Sequence, residues 1–219
     1  MTDAAFTPAL GRPEFTDDYD RAIRTWTRER VWRSALLAQV APRHGETILD
    51  VGCGTGSFAI LMKQAAPGTR IVGLDPDPRV LRLAAAKADA AGVEIEWRQG
   101  FAREAAGSSG GFDKAVSSLV FHQVPMPEKR AGIAAMLAAV HHGGELHIAD
   151  YARQRGLMRV LFRLTVQNLD GIANTQPNAD GALETILAET SIAAAQPTRV
   201  IQTLTGAISL FRITVPEAR

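Results

Sequence analysis

The chain has 219 residues, 46% of them hydrophobic, enough to bury one sizeable core in a single α/β domain. With 24 basic against 23 acidic side chains, a net charge of +1 directs it to neither nucleic acid nor an acidic partner, and its single cysteine excludes an internal disulfide or a cysteine-based metal cluster. The start, M-T-D-A-A-F, lacks the basic and apolar regions of a secretory leader, and no apolar run approaches the ~18 residues of a membrane span, so the expected location is cytoplasmic.

Residues 1–18, with Pro8, Gly11, Pro13 and a polar F-T-D-D, read as irregular. From 19 to 40, Ile23, Trp26, Arg30, Trp32, Leu36 and Leu37 recur at helical spacings, with Thr16, Asp17 or Asp18 as N-caps and Pro42 and Gly45 as stops.

The next stretch, T-I-L-D-V-G-C-G-T-G over 47–56, carries the most chemistry. Thr47, Ile48, Leu49 and Val51 suit a buried parallel strand, and residues 57–64 suit a helix. A strand, a glycine-rich turn and a helix in that order let backbone approach a ligand closely and aim the free N–H groups of a helix start at it. The spacing is G-x-G-x-G; the third glycine of a dinucleotide fingerprint is missing, because Ser57 stands there. The string L-D-V-G-C-G-T-G resembles, residue for residue, motif I of the class I S-adenosylmethionine-dependent methyltransferases. The resemblance implies that Asp50, Gly52, Cys53, Gly54 and Gly56 hold the methionine end of that cofactor. Cys53 within it reads as a small buried filler, not a nucleophile.

R-I-V-G-L-D over 70–75 is a second apolar strand ending in Asp75, with Pro76 beside it. A carboxylate at that tip can accept hydrogen bonds from both ribose hydroxyls, whereas Asp77 before Pro78 suits the N-cap of the helix that Gly92 ends. A third strand over 94–99 leads to R-Q-G-F-A. Here the family's acidic acceptor for the adenine amino group is replaced by Phe101, which leaves backbone groups at Phe101 and Ala102 for that contact.

F-D-K-A-V-S-S-L-V over 112–120 is a fourth strand whose end, including Ser117, looks like the next family motif. His122 follows at the strand's carboxyl end, where open parallel sheets hold ligands. Its ordinary pKa suits a general base, although a histidine here can equally serve only to shape the site. A helix over 127–142 places His141 and His142 at a helix C-terminus, where the dipole explains them. The fifth strand, 145–151, ends in Asp150 and Tyr151; both are candidate acceptor contacts, and His122 and Tyr151 are the catalytic candidates. No metal site is expected.

From 153 to 169, Leu157, Val160, Leu161 and Leu164 share a helical face, with Arg153, Arg155, Arg159 and Arg163 largely elsewhere. Core packing explains such a helix; a lipidic substrate or peripheral membrane contact is the sharper alternative. The polar N-T-Q-P-N-A-D-G reads as a loop at the edge of the active site, 182–191 as a last helix, and 199–203 with 207–215 as a hairpin.

The fold class is therefore α/β, a doubly wound, mostly parallel Rossmann-like sheet of about seven strands with an antiparallel hairpin at one edge. The resemblance divides one domain into an N-terminal lid (1–44, with Tyr19, Trp26 and Arg28 as lining candidates), a cofactor-binding core (45–151) and an acceptor side (152–219). The motifs look most like bacterial quinone-biosynthesis C-methyltransferases. They imply S-adenosyl-L-methionine as cofactor and a small-molecule C, N or O nucleophile as acceptor, with homodimerisation open. Two other readings stay on the table: a non-catalytic cofactor-binding protein, and a nicotinamide-dependent oxidoreductase.

Overall fold

The computed structural model describes residues 27–107, 111–190 and 196–216. The lid expectation and its candidates Tyr19 and Trp26 lie outside those residues. Helix α1 (Glu29–Val40) buries Trp32, Leu36 and Val40 on one side, and an i,i+4 pair between Glu29 and Arg33 at 2.8 Å supports it. It stops at Ala41, whose left-handed backbone lets its N–H reach the Leu37 carbonyl at 2.8 Å before Pro42.

Strands β1 (Thr47–Val51), β2 (Arg70–Asp75), β3 (Glu96–Gln99), β4 (Phe112–Ser118) and β5 (Val140–Tyr151) run parallel; β7 (Gly206–Thr214) pairs antiparallel with β5, and β6 (Arg199–Thr203) with β7. The seven-stranded order is β3-β2-β1-β4-β5-β7-β6, so the direction in which successive strands are added to the sheet reverses between β1 and β4, and ligands collect at the carboxyl ends beside that switch.

Two apolar layers flank the sheet. One packs Ile133 and Met136 of α4 (Met126–Ala139) and Leu183, Ile186 and Leu187 of α8 (Ala182–Thr190) on Leu49, Leu146 and Phe211. The other packs Trp32 and Leu36 of α1 and Phe58 and Met62 of α2 (Ser57–Ala65) on Ile48, Val116 and Ile208. Between β2 and β3 runs α3 (Pro78–Ala90), capped as the sequence suggests by Asp77, whose carboxylate accepts the Arg79 N–H at 2.8 Å.

The second half of the chain departs from its sequence reading in four places. Helix α4 ends at Ala139, and β5 begins at Val140, paired with Phe112. His141 and His142 are therefore strand residues, and the helix-dipole account of them fails; His141 Nε2 lies 3.1 Å from Asp113 Oδ1, and His142 Nδ1 lies 2.9 Å from the Pro216 carbonyl oxygen. The single helix expected over 153–169 is two, α5 (Gly156–Leu164) and α6 (Val166–Asp170). They part at Thr165, whose hydroxyl donates back to the Leu161 carbonyl at 2.6 Å and which leaves helical geometry at φ −114° and ψ −80°.

The N-T-Q-P-N-A-D-G stretch is not a loop: residues 174–180 lie within α7 (Ile172–Asp180), and Gly181 caps it. Asn178 donates to the Tyr151 carbonyl at 2.7 Å, a tertiary contact that overrides weak propensity, and Thr175 donates one turn back to the Gly171 carbonyl at 2.6 Å; Asn178 Oδ1 has no hydrogen-bond partner among the described residues. Finally, α5 buries Phe162, while Leu157, Val160 and Leu164 face outward, so core packing does not explain them.

Candidate functional site

The site forms where β1, β2 and β4 end. Asp50 lies in β1 and is fully enclosed, yet neither of its carboxylate oxygens has a hydrogen-bond partner among the described residues; the buried Ser117 hydroxyl of β4 has none either. Burial pushes the Asp50 pKa up to about 7; the Arg33 guanidinium of α1 pulls it down and Asp75 pushes it further up. Buried, unpaired acceptors are costly, and such a group signals a missing partner.

Beside them the loop turns through left-handed backbone at Gly52, Gly54 and Gly56, with φ of 69°, 52° and 76°. A Cβ on Gly52 would overlap the Val120 side chain, whereas one on Gly54 would meet nothing within 4 Å, so the loop is braced at one glycine and open at the next. Asp75 spans the loop's outer side: Oδ2 accepts the Gly54 N–H at 2.9 Å and Oδ1 the Asp77 N–H at 3.0 Å, leaving each oxygen a second lone pair. Burial raises its pKa to about 6 against those two bonds. Cys53 is buried, and burial together with Asp50 and Asp75 pushes its thiol pKa well up, which leaves it inert. Pro76 follows at the tip of β2.

Phe101 and Ala102 stand next in line, at the end of β3. The Phe101 N–H is taken by Glu104 Oε2 at 2.7 Å, and the Arg103 guanidinium lies 4.3 Å over the Phe101 ring. The backbone groups able to accept an adenine amino group here are the carbonyls of Phe101 and Ala102, which already accept the N–H groups of Glu104 at 2.9 Å and Ala105 at 3.1 Å and keep a second lone pair each.

On the acceptor side His122 sits in a short 3₁₀ turn (Phe121–Gln123) after β4. Its Nδ1 lies 2.7 Å from Asp150 Oδ1 and its Nε2 3.3 Å from Asp170 Oδ2. Burial favours the neutral ring, but the two carboxylates outweigh it and hold the pKa up to about 9. An imidazolium between two carboxylates has no free lone pair, so His122 alone is not a base at neutral pH. Asp150 Oδ2 also accepts the N–H groups of Val120 at 3.1 Å and Phe121 at 2.6 Å. From the other side the fully buried Lys129 donates to the carbonyls of Phe121, His122 and Asn174, and burial brings its pKa down to about 8. Tyr151 meets His122 edge to face at 5.1 Å; its hydroxyl bonds Thr205, and burial raises its pKa, so it stays a neutral phenol. Arg28 reaches the Gln202 carbonyl at 3.2 Å, at the hairpin rather than beside these groups.

Sequence reasoning missed Arg33, Lys129, Asp170 and Trp97. The Trp97 ring fills the space where Gly56 and Gly73 would carry side chains and so floors the glycine loop; a glycine inside strand β2 was the available signal. The other three sit on helices with no motif around them. Among the described residues, no His, Cys, Asp and Glu cluster suits a metal ion, and no helix is long and apolar enough to cross a membrane.

A family profile described as a methyltransferase domain matches residues 48–144. The chain is 30% identical over 175 residues to a demethylmenaquinone methyltransferase of Deinococcus radiodurans, spanning 80% of this chain and 72% of that one. It is 27% identical to the same-named protein of Thermus thermophilus, spanning 63% of this chain and 62% of that one. Among solved structures, the N-methyltransferase NodS of Bradyrhizobium japonicum in complex with S-adenosyl-L-homocysteine aligns with a TM-score of 0.67 at 21% identity, over 95% of each chain. That similarity concerns the fold.

Proposed function

The chain belongs to the class I S-adenosylmethionine-dependent methyltransferases and transfers a methyl group to a small molecule, and we propose that this acceptor is a lipophilic aromatic nucleophile of the quinol type. The acceptor class follows the demethylmenaquinone methyltransferases it resembles. The observation that carries the cofactor assignment is the pair of unpartnered, buried Asp50 oxygens beside a loop left open at Gly54. An ammonium group supplies what those oxygens lack, and the cofactor's methionine end carries one. Arg33, whose buried Nε is also unpartnered, suits the carboxylate of the same moiety. The spare lone pairs of Asp75 suit the ribose hydroxyls, and those of the Phe101 and Ala102 carbonyls the adenine. On this reading residues 45–151 hold the cofactor and 152–219 face the acceptor.

Bound S-adenosylmethionine supplies a methyl group made electrophilic by its positive sulfur, open to in-line displacement. The protein's own part is alignment and proton removal. We assign the proton to the His122–Asp170 pair: Asp170 accepts it, while His122, anchored by Asp150, stays an imidazolium and steadies the charge. Tyr151 fixes the plane of the His122 ring.

Two measurements test this. Isothermal titration with S-adenosylmethionine should give binding that Asp75→Ala and Asp50→Ala each weaken at least tenfold; unchanged binding in both rejects the cofactor placement. Incubation with isotope-labelled cofactor and a short-chain demethylated naphthoquinol should give the product one CH₂ heavier, and turnover of only hydrophilic amines would reject the acceptor class.

A further inference from the structure

Helix α5 presents Leu157, Val160 and Leu164, at i, i+3 and i+7, directly outward, at 68%, 52% and 64% exposure. Leu169 of α6 (47%) and Ile172 of α7 (60%) are exposed as well. Three large aliphatic side chains on one face of α5, with Phe162 buried on the opposite side and two more exposed on the helices that follow, exceed the scattered apolar exposure of an ordinary surface.

Charge accompanies the stripe. Arg155 and Arg163 are exposed beside it with no ion-pair partner among the described residues, whereas Arg159 pairs with Asp180 at 2.7 Å. Helix α5 holds no acidic residue. A cleft of about 240 Å³ opens between α5, α6 and α7, with Arg159, Arg163, Gln167 and Gln176 beside Phe162 and Ile172. The amides of Gln167 and Gln176 are tied to each other and to Asp180, which leaves Arg163 as the cation at the cleft's edge; with Arg155, next to an aliphatic surface, it matches phosphate headgroups above acyl chains.

A second copy of the chain fits less well. A two-fold contact through the stripe would bring Arg155 and Arg163 toward their own counterparts, with no acid on α5 to compensate.

We propose that the α5–α7 face docks on an anionic phospholipid bilayer, Leu157, Val160 and Leu164 entering the interface and Arg155 and Arg163 meeting the headgroups. The proposal rests on the lipophilic-acceptor reading above, since a bilayer is where such an acceptor dissolves. The surface lies on the acceptor-side segment and carries Asp170, the His122 partner, on α6.

The test is co-sedimentation of the full-length protein with vesicles of phosphatidylcholine alone or mixed with phosphatidylglycerol. The protein should pellet with the mixed vesicles and stay in solution with the neutral ones, and added salt should release it. Each arginine near an anionic surface contributes on the order of fivefold to partitioning, so Arg155→Glu with Arg163→Glu should abolish pelleting. Leu157→Ser with Leu164→Ser should reduce it at least tenfold with S-adenosylmethionine affinity unchanged, which separates lost docking from lost folding. No pelleting of the wild type with mixed vesicles overturns the proposal. So does pelleting that neither double variant reduces, or a wild-type dimer in light scattering that Leu157→Ser with Leu164→Ser makes monomeric. Vesicle binding needs no turnover, so docking without methylation of a quinol would reject the acceptor class and leave the surface standing.

Discussion

Asp170 Oδ2 lies 3.3 Å from Nε2 of His122, so a five-residue helix on the acceptor side reaches the carboxyl end of β4 through one buried ion pair. Asp170→Asn removes one of the two carboxylates that hold the imidazole pKa at about 9 and should bring it down toward the ordinary ~6.5. Histidine ring signals followed by NMR across pH check this directly. If Asp170 takes the acceptor's proton, kcat should fall at least tenfold with the cofactor Kd unchanged; a KM effect alone would make Asp170 a positioning residue.

Asp50 carries a folded-state pKa of about 7, well above the ordinary carboxyl value, because it is buried without a partner. A raised carboxyl pKa stabilises the fold below the unfolded value near 4 and withdraws that stability as pH rises through 7. The cofactor-free protein should therefore lose stability between pH 4 and pH 8 by more than its Asp50→Asn variant does, with a difference on the order of 2–4 kcal/mol by chemical denaturation. The same variant should bind S-adenosylmethionine more weakly, so stability and affinity move in opposite directions.

Gly52 and Gly54 should separate in the same assays. Gly52→Ala meets the Val120 side chain in left-handed backbone and should cost roughly 2–4 kcal/mol of stability. Gly54→Ala meets nothing within 4 Å and should cost about 1 kcal/mol for backbone strain, with its main effect a loss of cofactor affinity. Thermal unfolding with and without S-adenosylmethionine distinguishes the two, and equal loss of stability in both variants would contradict the open space at Gly54.

Lys129→Met strips the donors from the carbonyls of Phe121, His122 and Asn174. Leaving buried acceptors unpaired should cost roughly 2–4 kcal/mol. Because those carbonyls hold the turn that carries His122, methyl transfer should fall further than stability alone explains; kcat measured well below the melting temperature checks it.

The cofactor side was legible in sequence because its chemistry is local: glycines, a strand and a helix start within ten residues of Asp50, and a carboxylate at the tip of the next strand. The acceptor side was not. Thr165 breaks a helix through its hydroxyl and a contact with Thr205, and α7 forms from poor helix formers because Asn178 finds a buried partner, the Tyr151 carbonyl, distant in sequence. Pro127 and Glu128 mark a helix start and Gly143 and Gly144 a stop beyond His141 and His142, but sheet pairing claims the backbone from Val140 onward. Asp170 is one of many carboxylates until α6 brings it to His122.

Trp97 gives the molecule a built-in optical reporter. Its indole packs under the glycine loop, against Gly56 and Gly73 and near Cys53, while Trp32 is sealed beneath α1 with its N–H on the Thr27 hydroxyl at 3.2 Å. A change in the loop's dielectric surroundings therefore reaches the Trp97 indole strongly and the Trp32 indole weakly. Emission from Trp97, read against a Trp97→Phe background, would time the filling of the loop without a label.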